Sequence, residues 1–327
     1  MKYRRLGNSE LNVSTISMGC WAIGGAWGSV SDEESRRALL AAVDCGINFF
    51  DTADVYGDGR SERLVGEIVR QTGGQLYVAS KAGRRLQPHT AVGYDRAHLT
   101  AFLERTLSNL KMERLDLLQL HCPPSEVYYQ PEVFGILDDL VKAGKLRYYG
   151  VSVERVEEAL KAIEYPQVRS IQIIYNLFRQ RPAQRLFARC IEQGVGILAR
   201  VPLASGLLSG KFSLSSSFAA DDHRHFNRHG EAFDVGETFS GVPYEVGLSA
   251  VEDLRTLCPA DVPLSQAALR WILMEEAVTC AIPGGKTPNQ VADNAAAADL
   301  PALDAAFLRG ATQIYENKIK PWVHQRW

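Results

Sequence analysis

The sequence contains no apolar run of about 18 residues, the length a helix needs to cross a bilayer. The first eleven residues are polar and charged and lack the apolar core of a signal peptide. Neither sign of charge is in excess, since 36 Lys and Arg face 38 Asp and Glu, for a formal charge of −2. That balance argues against a protein that coats nucleic acid or an anionic membrane. We therefore expect a cytoplasmic protein with no nucleic-acid partner and no membrane partner.

The sequence lacks motifs typical of disulfide-rich proteins, zinc sites, serine acyl transferases and dinucleotide-binding sheets. The six cysteines are dispersed without a CxxC pair, so we expect reduced thiols and neither a disulfide framework nor a zinc site. No serine lies in a GxSxG elbow, so acyl transfer is not supported. Residues 19–25, after the first expected strand, do not have the GxGxxG spacing of a dinucleotide-binding sheet.

The chain does show a regular alternation of short apolar runs with longer amphipathic stretches. The runs expected as strands are 13–18, 47–50, 76–79, 115–120, 148–151, 170–174, 196–199 and 279–282. The expected helices include 61–71, 95–110, 131–142, 153–163, 182–193, 263–275 and 287–297. The strands are continuously apolar rather than alternating, which is typical of a parallel sheet covered on both faces.

Eight strand–helix units in one chain of uniform composition predict an α/β fold, a (β/α)₈ TIM barrel with a parallel sheet. The barrel would be a single domain over residues 1–327, although a doubly wound sheet is the alternative. Residues 1–12 are left over as an N-terminal hairpin on the barrel floor. Residues 211–242, a long loop after strand 7 without sustained periodicity, and a C-terminal tail complete the chain.

Polar side chains end three successive strands of this barrel. Asp51, Lys81 and His121 follow the second, third and fourth strands, and Tyr56 lies on the loop after Asp51. Active-site residues of such barrels lie where the strands end. A Tyr hydroxyl, with a pKa near 10, needs help to act as an acid; a nearby ammonium lowers that pKa, and a carboxylate holds the ammonium. With His121 to orient a carbonyl, the set predicts proton delivery to an oxygen and requires a hydride donor.

At these positions the sequence resembles the aldo-keto reductase superfamily over essentially its whole length. The stretches that carry the resemblance are 48–57, 80–81, 117–121, 149–152, 202–211 and 282–284. The resemblance implies an oxidoreductase that binds NADP(H) on a barrel and reduces aldehydes or ketones, or oxidises the matching alcohol or sugar. It implies a catalytic tetrad of Asp51, Tyr56, Lys81 and His121, with Tyr56 as the general acid.

The resemblance also assigns cofactor contacts to particular residues of this chain. Around the nicotinamide these are Cys20, Trp21, Ser152, Gln172 and the stacking ring of Tyr175; around the pyrophosphate they are Pro202, Leu203, Ala204, Gly206, Leu207, Ser209 and Lys211; around the adenosine they are Gly284, Lys286, Thr287, Gln290 and Asn294. Small residues in 202–211 let backbone N–H groups approach phosphate.

Two positions depart from the family pattern. Val153 stands where many members have Asn, so carboxamide binding is expected to be looser or rearranged. Lys286 stands where many have Arg, and an ammonium lacks the bidentate fork of a guanidinium. The preference for NADPH over NADH is therefore expected to be weaker.

Several other polar and aromatic residues are not assigned to the tetrad or the cofactor site. The acidic and histidine residues between 221 and 229 are expected to form a solvated loop, so no metal site is predicted. Arg84 and Arg85 either meet an anionic substrate or cap the rim. Tyr128 and Tyr129 are candidates for a substrate wall, and the tail 322–327 covers the rim or forms an oligomer contact.

The resemblance leaves a second class of function open. Potassium-channel β subunits share this fold, this cofactor and this tetrad, and they act as binding and regulatory proteins. The substrate, a small carbonyl compound or alcohol, is not identified by the sequence, and neither is the choice between monomer and homo-oligomer.

Overall fold

The computed structural model describes residues 1–327 and contains ten strands. They are β1 (Tyr3–Arg5), β2 (Asn12–Ser14), β3 (Met18–Gly19), β4 (Phe49–Asp51), β5 (Tyr77–Ala82), β6 (Leu115–His121), β7 (Leu146–Ser152), β8 (Val168–Ile174), β9 (Gly196–Arg200) and β10 (Val278–Ile282). Strands β3 to β10 form one parallel sheet in which each strand pairs with its neighbours in sequence, whereas β1 and β2 pair antiparallel with each other.

The parallel sheet closes on itself between its first and last strands. Ile16 bridges Ala281 and Gly19 bridges Gly284, both in parallel register. The Ser17 amide donates to the Ala281 carbonyl at 3.0 Å. The eight strands therefore form a closed barrel, as the sequence predicts.

Helices lie between successive strands of the barrel and after its last strand. They are α1 (Trp21–Gly24), α2 (Asp32–Asp44), α3 (Arg60–Thr72), α4 (Arg96–Leu110), α5 (Pro131–Lys142), α6 (Val156–Ala162), α7 (Pro182–Gln193), α8 (His223–Phe226), α9 (Tyr244–Leu257), α10 (Leu264–Leu273), α11 (Pro288–Ala296), α12 (Ala305–Ile314) and α13 (Lys320–Val323). No helix among them has both the length and the apolar character that crossing a membrane requires.

Local sequence signals explain where several helices begin. Ser31 and Glu34 form a reciprocal capping box at the start of α2, and Asp95 caps α4 by accepting from the His98 amide. Proline occupies the first position of α5 and of α7, where its missing N–H costs no hydrogen bond. These two helices have the bounds that the sequence predicts.

The N-terminal hairpin extends further along the chain than predicted. Val13 belongs to β2 rather than to the first barrel strand, and it is buried on the barrel floor beside Leu6 and Leu11. The barrel strand β3 is only two residues long. The prediction of a strand over 13–18 merged two elements because no glycine or proline separates Val13 from Met18.

The long segment 211–242 is ordered and packed against the barrel. It contains α8 and two short 3₁₀ turns, and Phe239 and Val242 join a second hydrophobic cluster with α9, α10 and α12. Asp222 and His223 are buried, so the expectation of a solvated loop is wrong at these residues. Their burial depends on contacts with Trp21 and Trp27, which are distant in sequence.

Candidate active site

Four side chains converge where β4, β5 and β6 end. The Lys81 ammonium lies 2.5 Å from Asp51 Oδ1 and 3.3 Å from the Tyr56 hydroxyl. It also donates to the Thr52 carbonyl at 2.8 Å. The His121 ring lies 6.0 Å from the Tyr56 ring, edge to face. The structure thus brings together all four residues of the predicted tetrad.

Burial governs the electrostatics of the tyrosine. Burial raises the pKa of Tyr56 above its ordinary value, and the positive charge of Lys81 only partly offsets that rise. Burial acts to lower the pKa of Lys81, but Asp51 and Tyr56 outweigh it and the pKa is raised. Without a bound ligand Tyr56 therefore keeps its proton at neutral pH, which is the form an acid needs, although the ammonium does not lower its pKa below the ordinary value.

His121 is held neutral by its surroundings. Burial is the main cause that lowers its pKa well below the usual value, and the charges of Arg84 and Lys81 act in the same direction. Its Nδ1 atom is buried without a hydrogen-bond partner. A neutral imidazole in this position can donate one N–H to a substrate oxygen.

An amide network continues from Asp51 across the barrel. Gln172 Nε2 donates to Asp51 Oδ2 at 2.7 Å, and Gln119 Nε2 donates to the same oxygen at 3.1 Å. Ser152 Oγ donates to Gln172 Oε1 at 3.3 Å. Sequence reasoning missed Gln119, although a polar residue two positions before His121 on an apolar strand faces the same side and was a usable signal.

A cavity of about 380 Å³ runs from the tetrad along the rim of the barrel. Of the predicted residues it is lined by Cys20, Trp21, Asp51, Tyr56, His121, Ser152, Gln172, Pro202, Leu203, Gly206, Ser209, Lys211, Gly284, Lys286, Gln290 and Asn294. Lys81 lies behind Asp51 and Tyr56. Ala204 and Leu207 pack into the second hydrophobic cluster instead, and Thr287 caps α11 by accepting from the Gln290 amide.

Tyr175 does not line this cavity. Its ring is buried on the outer side of the barrel wall, 5.0 Å from the Trp271 ring and 4.8 Å from the Phe187 ring. This position does not support the predicted stacking on the nicotinamide, because Tyr175 packs against helices α7 and α10. Arg200, at the end of the next strand, lines the cavity.

The lining of the cavity carries positive charge. Lys211, Arg224 and Lys286 line the cavity. The Lys286 ammonium donates a hydrogen bond to the Trp27 carbonyl. Arg224 pairs with Asp222 in two hydrogen bonds, at 2.8 and 2.5 Å. Sequence reasoning missed Arg224, because no pattern in the long loop distinguishes one arginine from another.

The backbone between β9 and Lys211 is folded unusually. Val201, Ala204 and Ser205 all have positive φ angles, near 50°, and Gly206 has φ of 95°. Residues in the left-handed region can form a concave, anion-binding backbone surface. In this turn the amides of Ala204 and Gly206 donate to the carbonyls of Val201 and Leu203. The Asn176 side chain holds the strained Val201 by donating to its carbonyl at 2.8 Å.

A model of the aldo/keto reductase family matches residues 15–316, which is most of the chain. The chain belongs to this family. Aldo-keto reductase YhdN of Bacillus subtilis is 29% identical over 89% of this chain and 87% of its own length. A probable voltage-gated potassium channel subunit beta of Arabidopsis thaliana is 27% identical over 98% of both chains. The structure of the glycerol dehydrogenase AKR11B4 from Gluconobacter oxydans has a TM-score of 0.80 at 26% identity, over 97% of this chain and 96% of that one.

This aldo/keto reductase also has four charged residues packed beside the tetrad, the Arg–Glu cluster: Arg84, Glu154, Arg200 and Glu237. Arg84 Nη2 lies 2.6 Å from Glu237 Oε1 and 3.3 Å from Glu154 Oε1. Arg200 Nη2 lies 2.8 Å from Glu154 Oε2, and Arg200 Nη1 lies 3.5 Å from Glu237 Oε1. Arg84 therefore forms ion pairs with Glu154 and Glu237, and Arg85 forms an ion pair with Asp58.

Aromatic rings cover the tetrad from above. Trp21 stacks on His223 with 4.7 Å between ring centroids, and Trp27 meets the same His223 ring at 4.4 Å. Trp21 also lies nearly parallel to Tyr56. These contacts join the loop after β3 to the long segment after β9.

The candidates for a substrate wall after β6 and in the tail are placed elsewhere. Tyr128 is buried and Tyr129 is exposed, and neither lines the cavity. The Trp327 ring stacks on Arg179, 3.8 Å from the guanidinium carbon, and its indole N–H donates to Asp234 at 3.0 Å. The tail therefore anchors the segment 211–242 rather than covering the tetrad.

The lining of the cavity fits an NADP(H) molecule. The lining includes the acid–base group of the tetrad and three cationic side chains. A Cβ built on Gly284 would meet only the Gly19 carbonyl, at 3.8 Å, so the backbone there is open to a close ligand. The combination of an apolar wall, a left-handed backbone turn and cationic side chains matches a dinucleotide with several phosphates.

Proposed function

We propose that this protein catalyses the NADPH-dependent reduction of an aldehyde or ketone to an alcohol, with the reverse oxidation of an alcohol or sugar as the same chemistry. The observation that carries the proposal is the Tyr56 hydroxyl, which lies 3.3 Å from a buried ammonium and faces the cavity. NADPH, when bound, supplies the hydride that reaches the carbonyl carbon.

Each side chain of the tetrad has a separate role in delivering the proton and orienting the substrate. Tyr56 donates its hydroxyl proton to the carbonyl oxygen as negative charge develops there. Lys81 stabilises the resulting phenolate, and Asp51 holds the ammonium at 2.5 Å so that it stays charged. Neutral His121 donates an N–H to the same oxygen and orients the substrate.

The cofactor would be held by groups along the whole cavity. Ser152 and Gln172 offer side-chain polar atoms for the carboxamide, with Gln172 already fixed by Asp51. The backbone turn after Val201 and the cations Lys211 and Arg224 suit the pyrophosphate. Lys286 at the start of α11 suits the adenosine 2′-phosphate, which is the group that distinguishes NADPH from NADH.

Substitution of Tyr56 tests this function. Tyr56→Phe removes only the hydroxyl, so kcat for carbonyl reduction should fall by about 10³-fold while the Kd for NADPH stays within a few-fold. The assay is NADPH oxidation with a panel of aldehydes, ketones, sugars and pyridoxal, alongside the reverse reaction with alcohols. The exposed Tyr129→Phe is the matched control and should keep wild-type kcat. A Tyr56→Phe enzyme with most of its kcat would refute the role of this hydroxyl.

The same assay separates catalysis from a binding function. The potassium channel subunit of Arabidopsis matches this chain over 98% of its length, so a cofactor-binding regulatory protein is the second candidate. Tight retention of NADPH with negligible turnover across the whole panel would favour that candidate.

A further inference from the structure

The Arg–Glu cluster has no part in the mechanism above, yet its four residues come from four separate parts of the chain. Arg84 follows β5, Glu154 follows β7, Arg200 ends β9, and Glu237 belongs to the segment after β9. Arg200 and Glu237 are buried and both line the cavity. Four largely buried charges are expensive to desolvate, and a well-packed apolar set would serve stability at least as well.

The cluster lies next to the residues proposed to hold the nicotinamide carboxamide. Arg200 Nη2 is 3.8 Å from Cys122 Sγ, and that sulfur is 3.7 Å from Ser152 Oγ. Arg200 Nη2 also donates to the Val153 carbonyl at 3.0 Å. A guanidinium is therefore fixed one residue away from Ser152.

Charge at this position discriminates between the two states of the cofactor. The nicotinamide ring is neutral in NADPH and carries one positive charge in NADP⁺. In a buried site of low effective dielectric, a nearby fixed charge changes the affinity for the cation far more than it changes the affinity for the neutral ring.

We propose that the Arg–Glu cluster sets the relative affinity of the protein for reduced and oxidised cofactor and favours the reduced form. The inference rests on the proposed function, because it needs a nicotinamide at this end of the cavity. Weaker binding of NADP⁺ would speed its release after carbonyl reduction, a step that limits many such turnovers.

The sign follows from the charges that face one another. Both guanidiniums keep their protons. The carboxylates of Glu154 and Glu237 each lie close to both arginines. Of the four side chains, Arg200 is the one that contacts Cys122 Sγ and the Val153 carbonyl, both of which lie next to Ser152. Asp51 and Lys81 form a balanced pair beside the cluster. The four formal charges balance, and the positive charge of Arg200 is the one held against the residues proposed to bind the carboxamide.

Two substitutions of opposite charge provide the test. In Arg200→Gln the ratio of Kd for NADP⁺ to Kd for NADPH should fall about tenfold, because the carboxylates are left in excess. In Glu237→Gln the same ratio should rise several-fold. Both dissociation constants are measured by isothermal titration calorimetry on the purified protein. The matched control is Arg85→Gln, an arginine paired with Asp58, which should leave the ratio unchanged.

The two ratios of dissociation constants decide whether the cluster sets the cofactor preference. Opposite shifts support the proposal, because a merely structural role would move both variants in the same direction. Equal shifts, or unchanged ratios, overturn it while leaving the proposed function intact. Arg200→Lys keeps the charge and should keep the wild-type ratio, so it serves if Arg200→Gln does not fold. A wild-type protein that binds neither cofactor overturns both the inference and the proposed function.

Discussion

Asp54 is buried two residues before Tyr56, and neither of its carboxylate oxygens has a hydrogen-bond partner. Burial, with the nearby carboxylate of Glu62, raises the pKa of Asp54 to about 7. Because this pKa lies above the value of the unfolded chain, ionisation of Asp54 opposes folding. Its protonation stabilises the fold fully only below about pH 4, and that contribution is lost as the pH rises towards 7.

We expect Asp54→Asn to be more stable relative to wild type at pH 8 than at pH 5, by about 2 kcal/mol or on the order of 3 °C in Tm. Thermal unfolding of both proteins at the two pH values measures the difference. Asp58→Asn, which removes a carboxylate paired with Arg85 and Arg105, should show no such gain at pH 8. A pH-independent difference for Asp54→Asn would mean that Asp54 is ionised throughout.

At the scale of elements, one buried hydroxyl connects the two segments that enclose the cavity. Ser205 Oγ donates to the Glu237 carbonyl at 2.9 Å and accepts from the Phe239 amide at 3.1 Å. Ser205 lies in the strained turn after β9, and the other two residues lie in the segment 211–242.

Ser205→Ala should weaken this connection and speed NADPH dissociation several-fold, with about 1–2 kcal/mol lost from the free energy of unfolding. Stopped-flow fluorescence of bound NADPH gives the rate. The exposed Ser217→Ala, in the same segment, is the control and should release NADPH at the wild-type rate. Equal rates for the two variants would show that the segment is held by other contacts.

The same elements show what the sequence can and cannot predict. Helix α7 and the tetrad were predictable because caps, apolar period and strand-end polarity are local signals. Arg200 was missed in favour of Tyr175, although a charged residue at a strand end was visible. Glu237 and His223 were not predictable, since their positions depend on contacts between segments about 150 to 200 residues apart in sequence.

At the scale of the whole molecule, the hairpin of β1 and β2 closes the barrel floor around one glycine. Gly7 has φ of 50°, and a Cβ there would lie 2.6 Å from the Gly194 carbonyl oxygen and 2.7 Å from the Gly196 amide nitrogen. Both are backbone atoms of the segment leading into β9, so they cannot move aside as a side chain can.

We expect Gly7→Ala to cost about 3 kcal/mol, or about 4 °C in Tm. Gly74→Ala is the control, since a Cβ there meets no heavy atom within 4 Å and should change Tm little. Differential scanning calorimetry compares the two. Equal Tm values would mean that the hairpin can shift without loss of packing.

The closure of the barrel between β3 and β10 has a consequence for the nascent chain. Seven barrel strands leave the ribosome before Val278–Ile282, and Gly19 then still lacks its partner Gly284. The cavity takes its walls from both sides of this seam. The barrel therefore cannot close before β10 has been synthesised, and a cavity that needs both of these walls cannot form earlier.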